Sequence, residues 1–143
     1  MNFKYMKGGI FIKVHRIKWN KLKYIKNDGT KINFDRYLIS NDGQIFDLVK
    51  NKYVKHLQSK IGYMRVWLLD NNSNGDTYYV HRLVASTFIK HPGGTKLTVN
   101  HIDGNKLNNR YYNLEWITIS DNVKHAMKLG LTKISSFFTY CFS

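Results

Sequence analysis

Short runs of alternating apolar and polar residues fill the first 80 positions of the chain. This period of two is typical of strands that have one buried and one solvated face. Clusters of Asn, Asp and Gly between the runs mark tight turns. The predicted strands cover residues 10–14, 22–25, 37–40, 44–47, 53–57, 64–69 and 77–80. The strands of residues 34–79, which are joined by such short turns, predict an antiparallel β meander, and the two earlier strands lie in an N-terminal extension.

The spacing of apolar residues becomes helical after residue 80. Leu83, Val84 and Phe88 fall on one face of a predicted helix over residues 81–90. Residues 91–94 contain the only proline and two glycines, so they break this helix. The predicted helix therefore separates the meander from the last third of the chain.

β-branched residues flank a polar segment rich in Gly and Asn in that last third. Thr98 and Val99 precede the segment, and Ile117 and Ile119 follow it. This pattern predicts a hairpin of two short strands joined by a long polar loop. His101 then lies where the first strand ends.

A second helix is predicted after the hairpin. Ser120 is a favourable N-cap, and residues 122–129 close on Gly130, so a helix of about two turns is expected. Asn122 lies in the first turn of this helix. If the helix packs across the hairpin, Asn122 approaches the strand end that carries His101. Polar side chains from two elements then converge.

The same segments carry several motifs in a fixed order. They are Val80-His81-Arg82-Leu83-Val84-Ala85, Val99-Asn100-His101-Ile102-Asp103-Gly104-Asn105, Asn108-Asn109-Arg110, Asn113-Leu114-Glu115-Trp116 and Asp121-Asn122. Together they resemble the HNH endonuclease family, in its phage and intron homing branch, and the resemblance covers about residues 34–130. Residues 37–45 and 62–68 are similar to the β-rich module that often precedes the nuclease core in that branch. The implied fold is α+β, with the antiparallel β meander followed by a ββα-metal (HNH) nuclease core.

The resemblance also implies roles for individual residues. His101 matches the first histidine of the family motif and is expected to be the general base that takes a proton from the attacking water. Asn113 matches the central asparagine, which holds the loop around the histidine by hydrogen bonds. Asn100 and Asn122 match two ligands of one divalent metal ion, Mg²⁺ or Mn²⁺.

The residue at position 100 departs from the family pattern, which often has an aspartate there. Mg²⁺ prefers charged oxygen ligands, whereas Asn100 and Asn122 offer neutral amide oxygens. We therefore expect weak metal affinity in the free protein and a site that fills when a DNA phosphate supplies charge. Asp103 is an alternative carboxylate ligand.

Other polar residues of this region are assigned to packing or to turns. His81 is expected to cap the first helix or to hydrogen-bond in the core, and His125 to face solvent or DNA. Trp116 is expected to pack behind the hairpin, with a partner for its indole N–H. The predicted turn formers of the loop are Asn105, Asn108 and Asn109.

Charge independently indicates a nucleic-acid partner. The chain has 23 Lys and Arg against 9 Asp and Glu, a net charge of +14 and a pI near 9.9. Such an imbalance is typical of proteins that neutralise phosphates, and it predicts binding that weakens steeply with salt. An anionic membrane surface is the other possible partner, but no long amphipathic basic helix is present in the sequence. The predicted DNA contacts are Lys55, His56, Lys60 and Arg65 on the strands, and Lys106 and Arg110 in the loop.

Four zones follow from these patterns. They are a basic extension (1–33), a β-rich DNA-docking module (34–79), the nuclease core (80–130) and an apolar tail (131–143). The tail does not resemble the helical DNA-binding segment of the homing branch, so it either docks on the core or marks a truncated specificity module. Cys141 is the only cysteine, which excludes an intramolecular disulfide and a cysteine-rich structural zinc site. Without a signal-peptide core, the protein is expected to be intracellular and not secreted.

The predicted function is therefore metal-dependent hydrolysis of phosphodiester bonds in double-stranded DNA, by a monomer that nicks or by a homodimer, without a small-molecule cofactor. Two alternatives remain open. A DNA-binding protein of the same fold could be inactive because its amide ligands hold metal too weakly. An RNA-binding protein would need exposed aromatic residues for stacking, for which Tyr53, Tyr63 and Tyr78 are candidates.

Overall fold

The computed structural model describes residues 3–7, 10–13, 15–94 and 96–131. The first strands are β1 (Phe3–Lys7), β2 (Ile10–Lys13), β3 (Trp19–Ile25), β4 (Lys31–Ser40), β5 (Ile45–Asp47) and β6 (Lys52–Tyr53). They are followed by β7 (Leu57–Gln58), β8 (Met64–Leu69), β9 (Gly75–Tyr79), β10 (Leu97–His101) and β11 (Leu114–Thr118). The helices are α1 (Val80–Phe88), a 3₁₀ turn (Tyr111–Asn113) and α2 (Ile119–Lys128).

Every paired strand is antiparallel to its neighbour in the sequence. The strands form two hairpins, β1-β2 and β10-β11, and two meanders, β3-β4-β5-β6 and β7-β8-β9. The predicted α+β class with an N-terminal antiparallel meander is therefore confirmed. β4 runs without interruption across residue 33, where the first predicted zone ends.

The helix α1 lies between both meanders and the β10-β11 hairpin, and it contacts all of them. Its residues Leu83, Val84 and Ala85 are fully buried. Apolar side chains from both meanders and from the β10-β11 hairpin meet there and form one continuous core. The buried core residues are Leu22, Phe34, Tyr37, Ile39, Ile45, Val66, Leu68, Tyr78, Val80, Leu83, Val84, Ala85, Val99 and Leu114.

The predicted start of the last helix is wrong by two residues. Thr118, not Ser120, is the N-cap, because its Oγ1 accepts a hydrogen bond from the backbone N–H of Asp121 at 3.1 Å. The Thr118 hydroxyl also donates to the Asp121 carboxylate at 2.7 Å, so the hydroxyl both accepts from and donates to Asp121. Ile119, predicted on the second strand, is therefore the first helical residue. Gly130 follows the helix with φ = 66°, as predicted for the residue after the C-cap.

The predicted strand over 53–57 is divided between two sheets. β6 ends at Tyr53 and pairs with β5, whereas β7 begins at Leu57 and pairs with β8. The N–H of Val54 donates to the carbonyl of Ile45 at 2.9 Å, and the chain then crosses from one meander to the other. The alternation of side chains spans this crossing, which is why the sequence pattern does not reveal it.

The first helix ends two residues before the predicted position. Ile89 has extended backbone angles, φ = −113° and ψ = 128°, and caps the helix at Phe88. Among the described helices, none has the length and apolar character needed to cross a membrane. Residues 132–143 of the predicted tail, with Cys141, lie outside the described residues.

The burial of α1 predicts a large effect of truncating it. Leu83 is 0% exposed, so we expect Leu83→Ala to lower the free energy of unfolding by about 2–5 kcal/mol through lost burial and a cavity. The matched control is Leu48→Ala, at a leucine that is 48% exposed, with an expected change of about 0.5 kcal/mol or less. Urea unfolding of both variants measures the difference. Equal losses would show that α1 is not the centre of the core.

Candidate active site

One cleft brings together four of the site residues predicted from the sequence. It lies where the end of β10 meets α2 and the loop before β8. Its polar and aromatic lining consists of Tyr63, Asn100, His101, Lys106, Asn122 and His125. The predicted base and both predicted metal ligands therefore share one cleft.

His101 is the last residue of β10 and is only 4% exposed. Its Nε2 lies 2.9 Å from Oδ1 of Asn109. An amide oxygen can only accept a hydrogen bond, so Nε2 must carry the proton in this contact. The lone pair is then on Nδ1, which has no hydrogen-bond partner among the described residues. Asn109 thus selects the tautomer in which Nδ1 is the basic atom.

The surroundings of His101 also favour its neutral form. Burial lowers the pKa of His101 below its ordinary value of 6.5, because the charged ring loses water. The hydrogen bond to Asn109 and the charge of Asp103 oppose this effect, whereas the ammonium of Lys106 adds to it. The net pKa is lowered, so the imidazole is unprotonated near neutral pH, as a general base requires.

Aromatic rings surround His101 on the side of the core. The centroid of the His81 ring lies 4.9 Å from that of His101, and the Tyr63 ring lies 5.8 Å from it. His81 does not cap α1, whose N-cap is Tyr79 without a side-chain hydrogen bond, and the buried Nδ1 of His81 has no hydrogen-bond partner in the described part of the chain. Burial holds the pKa of His81 well below 6.5, so it packs as a neutral ring beneath the candidate base.

The side chain of Asn113 closes the loop between β10 and β11. Its Nδ2 donates to Oδ1 of Asp103 and to the carbonyl of Asn108, each at 2.9 Å. Its Oδ1 accepts from the N–H of Asp103 at 3.1 Å, and its backbone carbonyl accepts from Ile102 at 2.8 Å. Both amide protons and the amide oxygen are thus used to hold the segment that follows His101.

Asp103 is committed to the same loop. Besides Asn113, its carboxylate accepts from the side chain of Asn108 at 2.7 Å and from the N–H of Asn105 at 2.8 Å. Burial raises the pKa of Asp103, but these hydrogen bonds outweigh it and the net pKa is lowered. The charge therefore organises the loop.

Asn100 precedes His101 and faces α2. Its Nδ2 donates to Oε1 of Glu115 at 2.9 Å and lies 3.2 Å from Nδ1 of His125. Its Oδ1 is therefore the free end of the amide. Asn122, in the first turn of α2, is half-buried and lines the same cleft.

This donor set fits a hard divalent cation, which accepts amide oxygens together with water and phosphate oxygens. Within the described ranges, no three His, Cys, Asp or Glu residues cluster in a way that could hold a metal ion. The predicted ligands Asn100 and Asn122 are the two side-chain amides that line the cleft, and both are neutral.

The predicted DNA contacts on the strands differ in accessibility. Lys55, Lys60 and Arg65 are exposed. His56 is half-buried, its Nε2 has no hydrogen-bond partner within the described ranges, and burial lowers its pKa, so it is a poorer candidate for a charged contact. Arg65 pairs across the strands with Tyr79. The ring of Tyr79 lies 5.7 Å from that of Tyr63, which lines the cleft, so the face of β8 that carries Arg65 borders the cleft.

The two predicted contacts in the loop lie in different places. Lys106 donates to the carbonyl of Ile61 at 2.9 Å and lies 4.8 Å above the Tyr63 ring, at the rim of the cleft. Arg110 is exposed and lines a separate groove with His15 and Tyr112. The structure therefore brings Lys106, but not Arg110, to the candidate base.

Sequence reasoning missed three residues beside the candidate base and ligands. Asn109, assigned there to a turn, contacts His101, and His125, assigned to solvent or DNA, contacts Asn100. Glu115 lies opposite Asn100 in the hairpin, a position that counting along the two strands could have revealed. The expected partner of the Trp116 indole is not found among the described residues, where its buried Nε1 makes no hydrogen bond.

Comparison with known proteins shows which family and which relatives this chain resembles. A family model described as HNH endonuclease matches residues 78–124. An HNH endonuclease of Acanthamoeba polyphaga mimivirus is 46% identical over 101 residues, which are 71% of this chain and 30% of that protein. The DNA endonuclease I-HmuI of Bacillus phage SP01 is 40% identical over 100 residues, which are 69% of this chain and 56% of that protein. The chain thus spans about a third to just over half of these two relatives.

A solved structure described as "DNA binding and cleavage by the HNH homing endonuclease I-HmuI" shares the fold. The TM-score is 0.64 at 35% sequence identity, and the match covers 85% of this chain and 64% of that one. The segment that the HNH endonuclease family model matches, residues 78–124, includes the β10-β11 hairpin and the start of α2, which together carry the candidate base and ligands. Over residues 78–124 the chain thus matches the HNH endonuclease family, and its fold is similar to that of an HNH homing endonuclease.

Proposed function

We propose that this chain is a metal-dependent endonuclease that hydrolyses phosphodiester bonds in double-stranded DNA, and that a monomer nicks one strand. The observation that carries the proposal is the environment of His101. A neutral imidazole with its basic Nδ1 unpartnered occupies the same cleft as two amide ligands. This combination suits general-base activation of water beside a phosphate.

The polar residues of the cleft have different roles in the proposed hydrolysis. Nδ1 of His101 takes a proton from the attacking water, and Asn109 holds the proton on Nε2 and so stabilises the imidazolium that results. Asn100 and Asn122 would hold a divalent ion, Mg²⁺ or Mn²⁺, through their amide oxygens. When bound, such an ion supplies Lewis-acid stabilisation of the charge on the phosphate and on the leaving oxygen.

The distribution of charge supports DNA as the partner. The net charge of +14 favours a polyanion, and the relative I-HmuI is described by its DNA binding and cleavage. Arg65 and Tyr79 lie on the face of β8 and β9 that reaches Tyr63, whose ring contacts that of Tyr79 at 5.7 Å. We assign the docking of the duplex to this face, with Lys55, Lys60, Arg65 and Lys106 as phosphate contacts and Arg110 as an outlying one.

The alternatives are less well supported. RNA binding would need exposed tyrosines for stacking on bases. Tyr78 is only 8% exposed in the core and Tyr63 packs against His81, so of the three candidates only Tyr53, which is 62% exposed, is available. The binding-only alternative rests on a specific observation, the neutral amide at Asn100. It predicts DNA retardation without cleavage in any metal.

Relaxation of supercoiled plasmid tests the proposed function. We expect open-circle product with Mg²⁺ or Mn²⁺, none with EDTA, and a loss of at least about a hundredfold in His101→Ala, since a general base contributes roughly 10²–10⁴-fold. His91→Ala is the matched control, because His91 lies outside the cleft and should leave nicking unchanged. Retardation of DNA by the wild type without cleavage would overturn the proposal in favour of the binding-only protein.

The pH dependence of nicking follows from the lowered pKa of His101. His101 can accept a proton only in its neutral form. The nicking rate should therefore stay constant as the pH falls towards 6.5 and decrease only below pH 6.5, where the imidazole becomes protonated. Because the charge of Lys106 lowers this pKa, Lys106→Gln should move the acid midpoint upward. Single-turnover rates across pH give both midpoints. A wild-type midpoint above pH 7 would contradict the burial argument.

A further inference from the structure

A carboxylate lies directly beside the ligand position that lacks one. Asn100 and Glu115 are opposite partners in the β10-β11 ladder, so their side chains share one face of the hairpin. Oε1 of Glu115 lies 2.9 Å from Nδ2 of Asn100. The negative charge missing at position 100 is therefore present one side chain away.

This contact fixes the orientation of the Asn100 amide. A carboxylate oxygen only accepts hydrogen bonds, so Nδ2 must face Glu115. The second proton of Nδ2 is directed to Nδ1 of His125, at 3.2 Å. Oδ1 then lies at the other end of the amide and has no hydrogen-bond partner among the described residues. The oxygen, which is the atom that a hard cation binds, is thus the end left available.

The other two acids between residues 80 and 130 are engaged elsewhere. Asp103 is bound within the loop by Asn108 and Asn113. Asp121 accepts a hydrogen bond from the hydroxyl of Thr118, the N-cap of α2, and pairs with Lys124 at 3.4 Å. Glu115 is therefore the acid of this segment whose hydrogen bond is to a candidate ligand.

We propose that Glu115 is a positioning residue for the divalent ion: it turns Oδ1 of Asn100 towards the ion site and supplies the charge that the amide ligands lack. This inference rests on the proposed function of the cleft. Glu115 acts through Asn100 rather than as a ligand. Partners that orient metal ligands in this way typically change metal affinity by about 10–100-fold.

Two substitutions separate the charge of Glu115 from its hydrogen bond. Glu115→Gln keeps an oxygen that can accept from Asn100 but removes the charge, whereas Glu115→Ala removes both. Asp76→Asn is the matched charge control, because Asp76 is exposed on β9 and its one side-chain hydrogen bond among the described residues is from the N–H of Thr77. Circular dichroism without metal checks that all variants fold alike.

Binding of Mn²⁺ to the protein alone, followed by the electron paramagnetic resonance signal of the free ion, gives the deciding readout. We expect Glu115→Gln to weaken Mn²⁺ binding about tenfold, Glu115→Ala by up to about a hundredfold, and Asp76→Asn not at all. Unchanged affinity in Glu115→Gln would overturn the role of the charge. Absence of Mn²⁺ binding by the wild type at millimolar concentrations would also overturn the proposal.

Plasmid nicking by the same variants distinguishes this inference from the proposed function. Excess Mn²⁺ should restore nicking by Glu115→Gln but not by His101→Ala, because the first variant lacks affinity and the second lacks the base. If the wild type nicks DNA while Glu115→Gln binds Mn²⁺ normally, the inference alone fails. If Glu115→Gln weakens Mn²⁺ binding but the wild type never nicks DNA, the proposed function alone fails.

Discussion

The hydrogen bonds of the Asn113 side chain hold together the loop on which the candidate site depends. The segment between β10 and β11 contains only a short 3₁₀ turn, so its polar backbone groups need partners from side chains. Asn113 binds Asp103 at both its N–H and its carboxylate, and it binds the carbonyl of Asn108. This closure brings the neighbouring Asn109 back to His101, where it selects the tautomer of the ring.

The second support of the site is the buried helix α1. It carries His81 on its first turn, beneath the ring of His101, and it packs through Leu83 and Val84 into the core shared by both meanders. The candidate base is therefore held from below by packing and from the side by a hydrogen bond. A ring fixed in this way loses water, which lowers its pKa and keeps it neutral. The same contacts thus set both the position and the protonation of His101.

Sequence patterns were sufficient to predict features that follow from the alternation within one strand or from the order of the family motifs. The alternation in residues 64–69 predicts β8, and the ordered motifs predict that His101 and Asn122 share a cleft. Other contacts between elements could not be predicted. The alternation across 53–57 does not show that the chain changes sheets, and two residues only two positions apart, Thr118 and Ser120, are equally good caps by type. Asn109 looks like any turn residue until the loop closes, and Glu115 acquires a partner only through strand register.

The tautomer of His101 is the most direct test of how the loop prepares the base. Nitrogen-15 NMR of the histidine rings at neutral pH distinguishes a protonated Nε2 from a protonated Nδ1. We expect His101 to be neutral, with the proton on Nε2 and a bare Nδ1, and we expect this preference to be lost in Asn109→Ala. A proton on Nδ1 in the wild type would contradict the claim, because the atom assigned to accept the proton of water would already carry one.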